Sequence, residues 1–248
     1  IPAEAFEFYE ALAADPTKTF WEAHKAAYLS DVRSPLESLG QRLRDEFGTV
    51  RLFRPYRDVR FSKDKTPYKD HQGMFAERGD GIGWYVQISA TGLMVAGGWY
   101  SSSPEQVKRY RAAVSESIPA AELAALTDAL AGAGMEIDGS RVATRPRGVR
   151  ADHPNLEWLR YRTLYAARHW EPAGWMGKAS AATKIRDQWR ALTPLLDWFA
   201  DVVGPGETSA GTGSQNGLLA SAKQTPLPRE SLRRYLLASD STAIRSAS

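Results

Sequence analysis

The chain has 248 residues, 43% of them hydrophobic and 25% charged, enough for a well-buried core, and its lack of cysteine excludes disulfides, thiolate metal sites and a cysteine nucleophile. No apolar run approaches the roughly 20 residues of a membrane-spanning helix, and the start "IPAEAFEFYEAL" lacks the basic and apolar parts of a signal peptide, so the expectation is a cytoplasmic chain with no membrane partner. The formal net charge of +3 is unevenly spread: residues 51–71 hold seven Lys/Arg against three Asp, and residues 204–248 hold five against three acids. Such localisation fits a focused site better than a broad nucleic-acid face.

In chain order, residues 5–48 read as two or three helices. Phe6, Phe8, Tyr9 and Leu12 recur at helical spacing, Asp15 and Pro16 interrupt, Phe20, Trp21, His24 and Tyr28 resume, and Pro35 to Phe47 closes at Gly48. From Val50 to Tyr100 the pattern changes to short extended runs, "VRLFRPYRDVRF", "GMFAE", "WYVQISA" and "LMVAGGWY", with "RGDGIG" and "ATG" as hairpin turns, which predicts an antiparallel meander. Ser103, Pro104 and Gln106 form the cap, first turn and capping box of a helix, and a second helix covers about 120–131. "MEIDG" is a short strand candidate and "RVATRPRGVRADHP" a basic loop. "NLEWLRYRTLYAARHW" and "ATKIRDQWRALTPLLDWFADVV" read as helices. The expectation is a single α+β domain over 1–203, with a helical start, a central antiparallel meander and a helical C-terminal half. A Gly/Ser/Thr-rich tail over 204–248 is expected to be mostly disordered.

The stretch "FRPYRDVRFSKDKTPYKDHQG" raises the functional question. As a strand, Arg54 to Phe61 would put Arg54, Tyr56, Asp58 and Arg60 on one face and Pro55, Arg57, Val59 and Phe61 on the other. An arginine on an apolar face needs a carboxylate, carbonyls or a bound anion, because an unpaired buried guanidinium costs several kcal/mol. In the loop that follows, Lys63, Lys65 and Lys69 surround a turn made by Ser62, Asp64 and Pro67, an arrangement suited to oxygen anions. Equally, these lysines can be solvated and balanced by Asp64 and Asp70. The segment lacks the glycines of a P-loop.

"RPYRDVRFSKDKTPYKDHQG", together with "FYEAL…FWEAHKAAY" and "ATRPRGVRADHP", resembles the uncharacterised bacterial family known as domain of unknown function 2461, in its actinobacterial branch, over about residues 5–203. The resemblance implies an α+β fold and emphasis on these stretches, and no activity. Ala143 and Arg162 stand where the family pattern implies lysines.

In "TRPRGVRADHP", Arg145 and Arg147 flank Pro146, which could aim both guanidiniums at a site shared with Arg57 and Lys63; helix capping and surface pairing by Asp152 and His153 compete with that reading. The four histidines, His24, His71, His153 and His169, form no pair at metal-ligand spacing, so neither metal nor cofactor is implied. His71 ends the basic loop and is the acid-base candidate, against a structural hydrogen bond. The glycines of "GDGIG" read as turn residues, and no G-x-S-x-G elbow occurs.

The leading expectation is a site for a small phosphate- or carboxylate-bearing ligand. Arg54, Arg57, Arg60, Lys63, Lys65, Lys69, Arg145, Arg147 and His153 are the candidate contacts, and Tyr68 and His71 orient the ligand or move protons. A nucleic-acid-binding module is the alternative partner class, and a scaffold whose cations are neutralised internally is the third. The residues leave open whether any reaction accompanies binding.

Overall fold

Apolar residues at helical spacing shape the first 47 residues, and the computed structural model, which describes residues 1–57 and 66–206, builds three helices from them. These are α1 (Glu4–Ala14), α2 (Lys18–Ala27) and α3 (Ser34–Phe47), with a π-helical segment, Tyr28–Arg33, joining the last two. Thr17 caps α2 by accepting from the Phe20 N–H, and Gly48, with φ 77°, ends α3.

Six strands follow in a sheet of order β1-β2-β3-β4-β6-β5, antiparallel throughout. They are β1 (Val50–Leu52), β2 (His71–Gly79), β3 (Ile82–Ser89), β4 (Gly92–Trp99), β5 (Glu136–Asp138) and β6 (Leu164–Trp170). Between β4 and β5 run α4 (Pro104–Ser115) and α5 (Ser117–Gly132); α6 (Leu156–Leu159) precedes β6, and α7 (Ser180–Val203) closes the described chain. The capping box is present in both directions, Ser103 accepting from the Gln106 N–H while the Gln106 side chain accepts from that of Ser103. The α+β class therefore holds, and no described helix is long and apolar enough to cross a membrane.

Two sequence expectations need correction. The helix expected across 155–170 is one turn, α6, followed by strand β6 between β4 and β5. Leu164 to Ala167 are buried on both faces of the sheet, so the two-residue alternation that betrays a strand is missing, and two alanines add helical propensity. The extended run expected over 50–61 forms a strand at Val50–Leu52 and leaves it before Arg54. Arg54 is irregular, and Tyr56 makes only an isolated bridge with Tyr68. Residues 58–61 of that expected strand, and the tail from 207, lie outside the described residues.

Register divides the sheet into two unlike faces. Met74, Val86 and Val95 align on one, with Trp84 and Trp99, and α3 and α7 pack against it. Trp84 Nε1 donates to the Trp189 carbonyl at 3.0 Å, and Phe47 meets both indoles edge-on at 5.0 and 5.1 Å. Gly97 lets α7 approach, since a Cβ there would stand 3.0 Å from Leu196 Cδ1 and 3.1 Å from Leu192 Cβ.

On the opposite face Phe75 pairs with Tyr85 across β2 and β3. The Tyr85 ring lies over Gly73 and the Phe75 ring over Gly83, so that a Cβ at either glycine would collide with the ring above it. At Gly83 it would also strike the Ala76 carbonyl, which cannot swing aside. Gly83→Ala is therefore expected to lower stability by about 1–3 kcal/mol. Gly174→Ala, which meets nothing within 4 Å, should be near neutral, both read by chemical denaturation at constant m.

Candidate ligand site at the His71 end of the sheet

Two prolines set the base of the basic loop. Arg57 N–H donates to the Pro67 carbonyl at 2.9 Å and Lys69 N–H to the Pro55 carbonyl at 2.8 Å, so 55–57 and 67–69 run antiparallel around the Tyr56–Tyr68 bridge. Proline lacks an N–H, so each supplies only an acceptor and the short ladder ends there. The Tyr68 ring stacks on Trp21 at 4.3 Å and 11°. Burial, with the Glu22 carboxylate and Tyr56 nearby, raises the Tyr68 phenol's pKa and keeps it neutral.

This ladder delivers Arg57 to the start of β2. Its Nη2 stands 3.4 Å from Asp70 Oδ1, and the same oxygen is 2.8 Å from His71 Nδ1. Arg57 is 25% exposed, so it is not the core-face arginine of the sequence reading, and Asp70 is among the carboxylates that answer it. Principally the His71 hydrogen bond, then the charges of His71 and Arg57, hold Asp70 at about 2. An ionised Asp70 has no proton to give, so His71 Nδ1 is the donor in that bond, and Nε2 is the ring nitrogen left outside it. His71 shares a sheet face with Gly73 and Phe75, and Phe53 sits beside it, its N–H donating to the Gly73 carbonyl at 3.0 Å. Lys69 is 8% exposed, its Nζ 5.4 Å from the Phe53 ring centroid.

The structure thus brings Arg57 and His71 to Asp70, with Lys69 over the Phe53 ring. Arg54 is exposed beside them, while Tyr68 belongs to the aromatic packing of α1 and α2. Arg60, Lys63 and Lys65 lie outside the described residues. The second basic stretch departs from the other end of the sheet. His71 is in register with Ser89, and Leu164, which ends that connection, with Trp99 and through it Ile82. The seven steps from Ile82 to Ser89 span roughly 23 Å. Arg145 and Arg147 are exposed there, and among the described residues neither makes a hydrogen bond or ion pair. His153 Nδ1 accepts from the Asn155 N–H at 3.1 Å, and Asp152 takes Arg150 in a two-pronged pair.

Sequence reasoning overlooked Asp70 as the orienting carboxylate, and with it the aromatic face running from Phe53 through Phe75 and Tyr85 to Tyr100. Parity was the available signal, since Phe75, Tyr85 and Gln87 fall on the side of β2 and β3 opposite Met74, Trp84 and Val86. Among the described residues no group of three or more His, Asp or Glu is arranged to hold a metal ion. A cleft of about 380 Å³ opens between α3, α7 and the far end of β2 and β3, lined by Glu46, Phe47, Glu77, Arg78, Trp84 and Asp197. Its carboxylates are engaged by Arg190, Arg51 and Arg78, so it offers no net charge to a ligand.

The depressed Asp70 pKa carries a sign. A carboxyl at about 2 when folded and about 3.9 when unfolded stabilises the fold above pH 4, and that contribution disappears as pH falls through 2. The Asp70 side chain is 65% exposed, so the contribution is below about 1 kcal/mol. In melting curves from pH 5 to pH 2, the gap between wild type and Asp70→Asn should close toward the acid end.

Searches of curated proteins and of solved structures each gave no match. A family model described as "Conserved hypothetical protein (DUF2461)" matches residues 4–198, from the first turn of α1 almost to the end of α7, and so takes in the Asp70–His71 pair and the whole sheet. The chain belongs to that family, domain of unknown function 2461.

Proposed function

We propose that the chain binds a small phosphate- or carboxylate-bearing ligand at the His71 end of the sheet, and that His71 exchanges a proton with it. The observation that carries this reading is the Asp70–His71 hydrogen bond of 2.8 Å, which fixes the imidazole through Nδ1 and leaves Nε2 outside that bond. A base held by a carboxylate in this way is oriented for proton transfer. Arg57 supplies the fork that pairs with two oxygens of an anion, and Lys69 a point charge.

Charge balance supports an anion over a cation. Residues 54–71 carry six Lys/Arg against Asp58, Asp64 and Asp70, an excess of three positive charges. Asp70 accepts from His71 and pairs with Arg57 at once. His71 serves as the base and Asp70 as its positioning residue.

Thermal shift with inorganic phosphate, acetate, citrate and sugar phosphates tests the reading, because a ligand bound only by the native state raises its melting temperature. At a hundredfold excess over Kd the gain is about 2.7 kcal/mol, several degrees for a chain of this size. Arg57→Ala should abolish the shift while the exposed Arg54→Ala retains part of it. No shift with any anion in the wild type overturns the proposal. Binding only to single-stranded nucleic acid, with steep loss on adding salt, replaces it with the alternative.

A further inference from the structure

Beyond the His71 end, the same sheet face continues as a floor of aromatic rings that the anion contacts do not use. Phe53 lies parallel to Phe75 at 6.5 Å and 6.2 Å from Tyr85. Tyr100 meets Phe75 edge-on at 6.0 Å and stacks on Tyr165 at 5.3 Å and 24°. The rings lie along the sheet because Gly73 and Gly83 beneath them carry no side chain. Ala96, in register with Phe75 and Tyr85, is fully buried, while Phe53, Phe75, Tyr85 and Tyr100 each keep part of their surface accessible.

The hydroxyls along this floor are unequal. Tyr85 donates to Gln87 Oε1 at 2.9 Å and Tyr165 to Asp138 Oδ2 at 3.2 Å. Tyr100 Oη is buried and, among the described residues, has no hydrogen-bond partner, although it lies between those two engaged phenols. That hydroxyl has no accessible surface, so what the floor offers a ligand is the ring faces and not the Tyr100 Oη.

We infer that the ligand is an anion bearing a planar ring: its charged group lies at Arg57 and Lys69, and its ring on Phe53, Phe75 and Tyr85. The distances suit one small molecule. Phe53 adjoins Lys69, and Tyr85 stands four residues along β3 from the His71 row, roughly 13 Å. Flat rings on a sheet face, with cations at one end, are the chemistry that selects a nucleotide or an aryl acid over a bare anion. This inference rests on the anion reading above and adds the substrate class to it.

Calorimetric titration of the full chain with methyl phosphate, phenyl phosphate and adenosine monophosphate separates the two statements. Phenyl phosphate should bind about tenfold more tightly than methyl phosphate, the advantage of one stacked ring. Phe75→Leu, which keeps apolar volume and loses the ring face, should erase that advantage. Methyl phosphate binding by Phe75→Leu should stay at the wild-type level, a split that loss of folding cannot produce. Equal affinity for methyl and phenyl phosphate, with binding intact, overturns the ring inference and spares the anion site. If none of the three binds, both fall.

Discussion

The pairing of Phe75 with Tyr85 across β2 and β3, each ring resting over a glycine of the neighbouring strand, is the contact on which the rest of the molecule depends. It fixes register, because a slip of one residue would send Met74, Trp84 and Val86 out of the helix-packed face and the aromatic rings into it. It also makes the second face of the sheet aromatic where one-sided antiparallel sheets are ordinarily polar. Helix packing on one side and ring packing on the other thus come from a single register, and the candidate site inherits its position from both.

Electrostatics at the site follow from how few acids stand among many bases. Asp70 accepts from His71 and pairs with Arg57, so a single carboxylate orients the imidazole and anchors the loop base. Internal pairing, the third of the readings drawn from the sequence, accounts for part of the cationic stretch in this way. It holds His71 through Nδ1 and leaves Nε2 outside that bond. The other strongly charged region, the cleft at the far end of β2 and β3, shows what full internal neutralisation looks like: Glu46, Glu77 and Asp197 each answer an arginine.

Helix α4 and strand β6 show where sequence reading succeeds and where it fails. Ser103, Pro104 and Gln106 announced α4 because a capping box is made by residues three apart, a local hydrogen-bond exchange that needs no partner elsewhere. Strand β6 was hidden because Leu164 to Ala167 are apolar without alternation. Only β4 on one side and β5 on the other make an extended chain cheaper there than a helix. Asp70 was visible as a charge and invisible as an orienting group, since its role depends on Arg57 returning from thirteen positions earlier across the Pro55–Pro67 ladder.

By itself, then, the sequence determined the α+β class, the capping box of α4, the stop of α3 at Gly48 and the concentration of positive charge before His71, all of which follow from the chemistry of near neighbours. Tertiary structure alone decided which acid meets which base, that the two basic stretches leave opposite ends of the sheet, and that Phe53, Phe75, Tyr85 and Tyr100 share one face. Those outcomes depend on strand order and register. Both are fixed by contacts between residues far apart in the chain, which local hydrogen bonding and propensity do not encode.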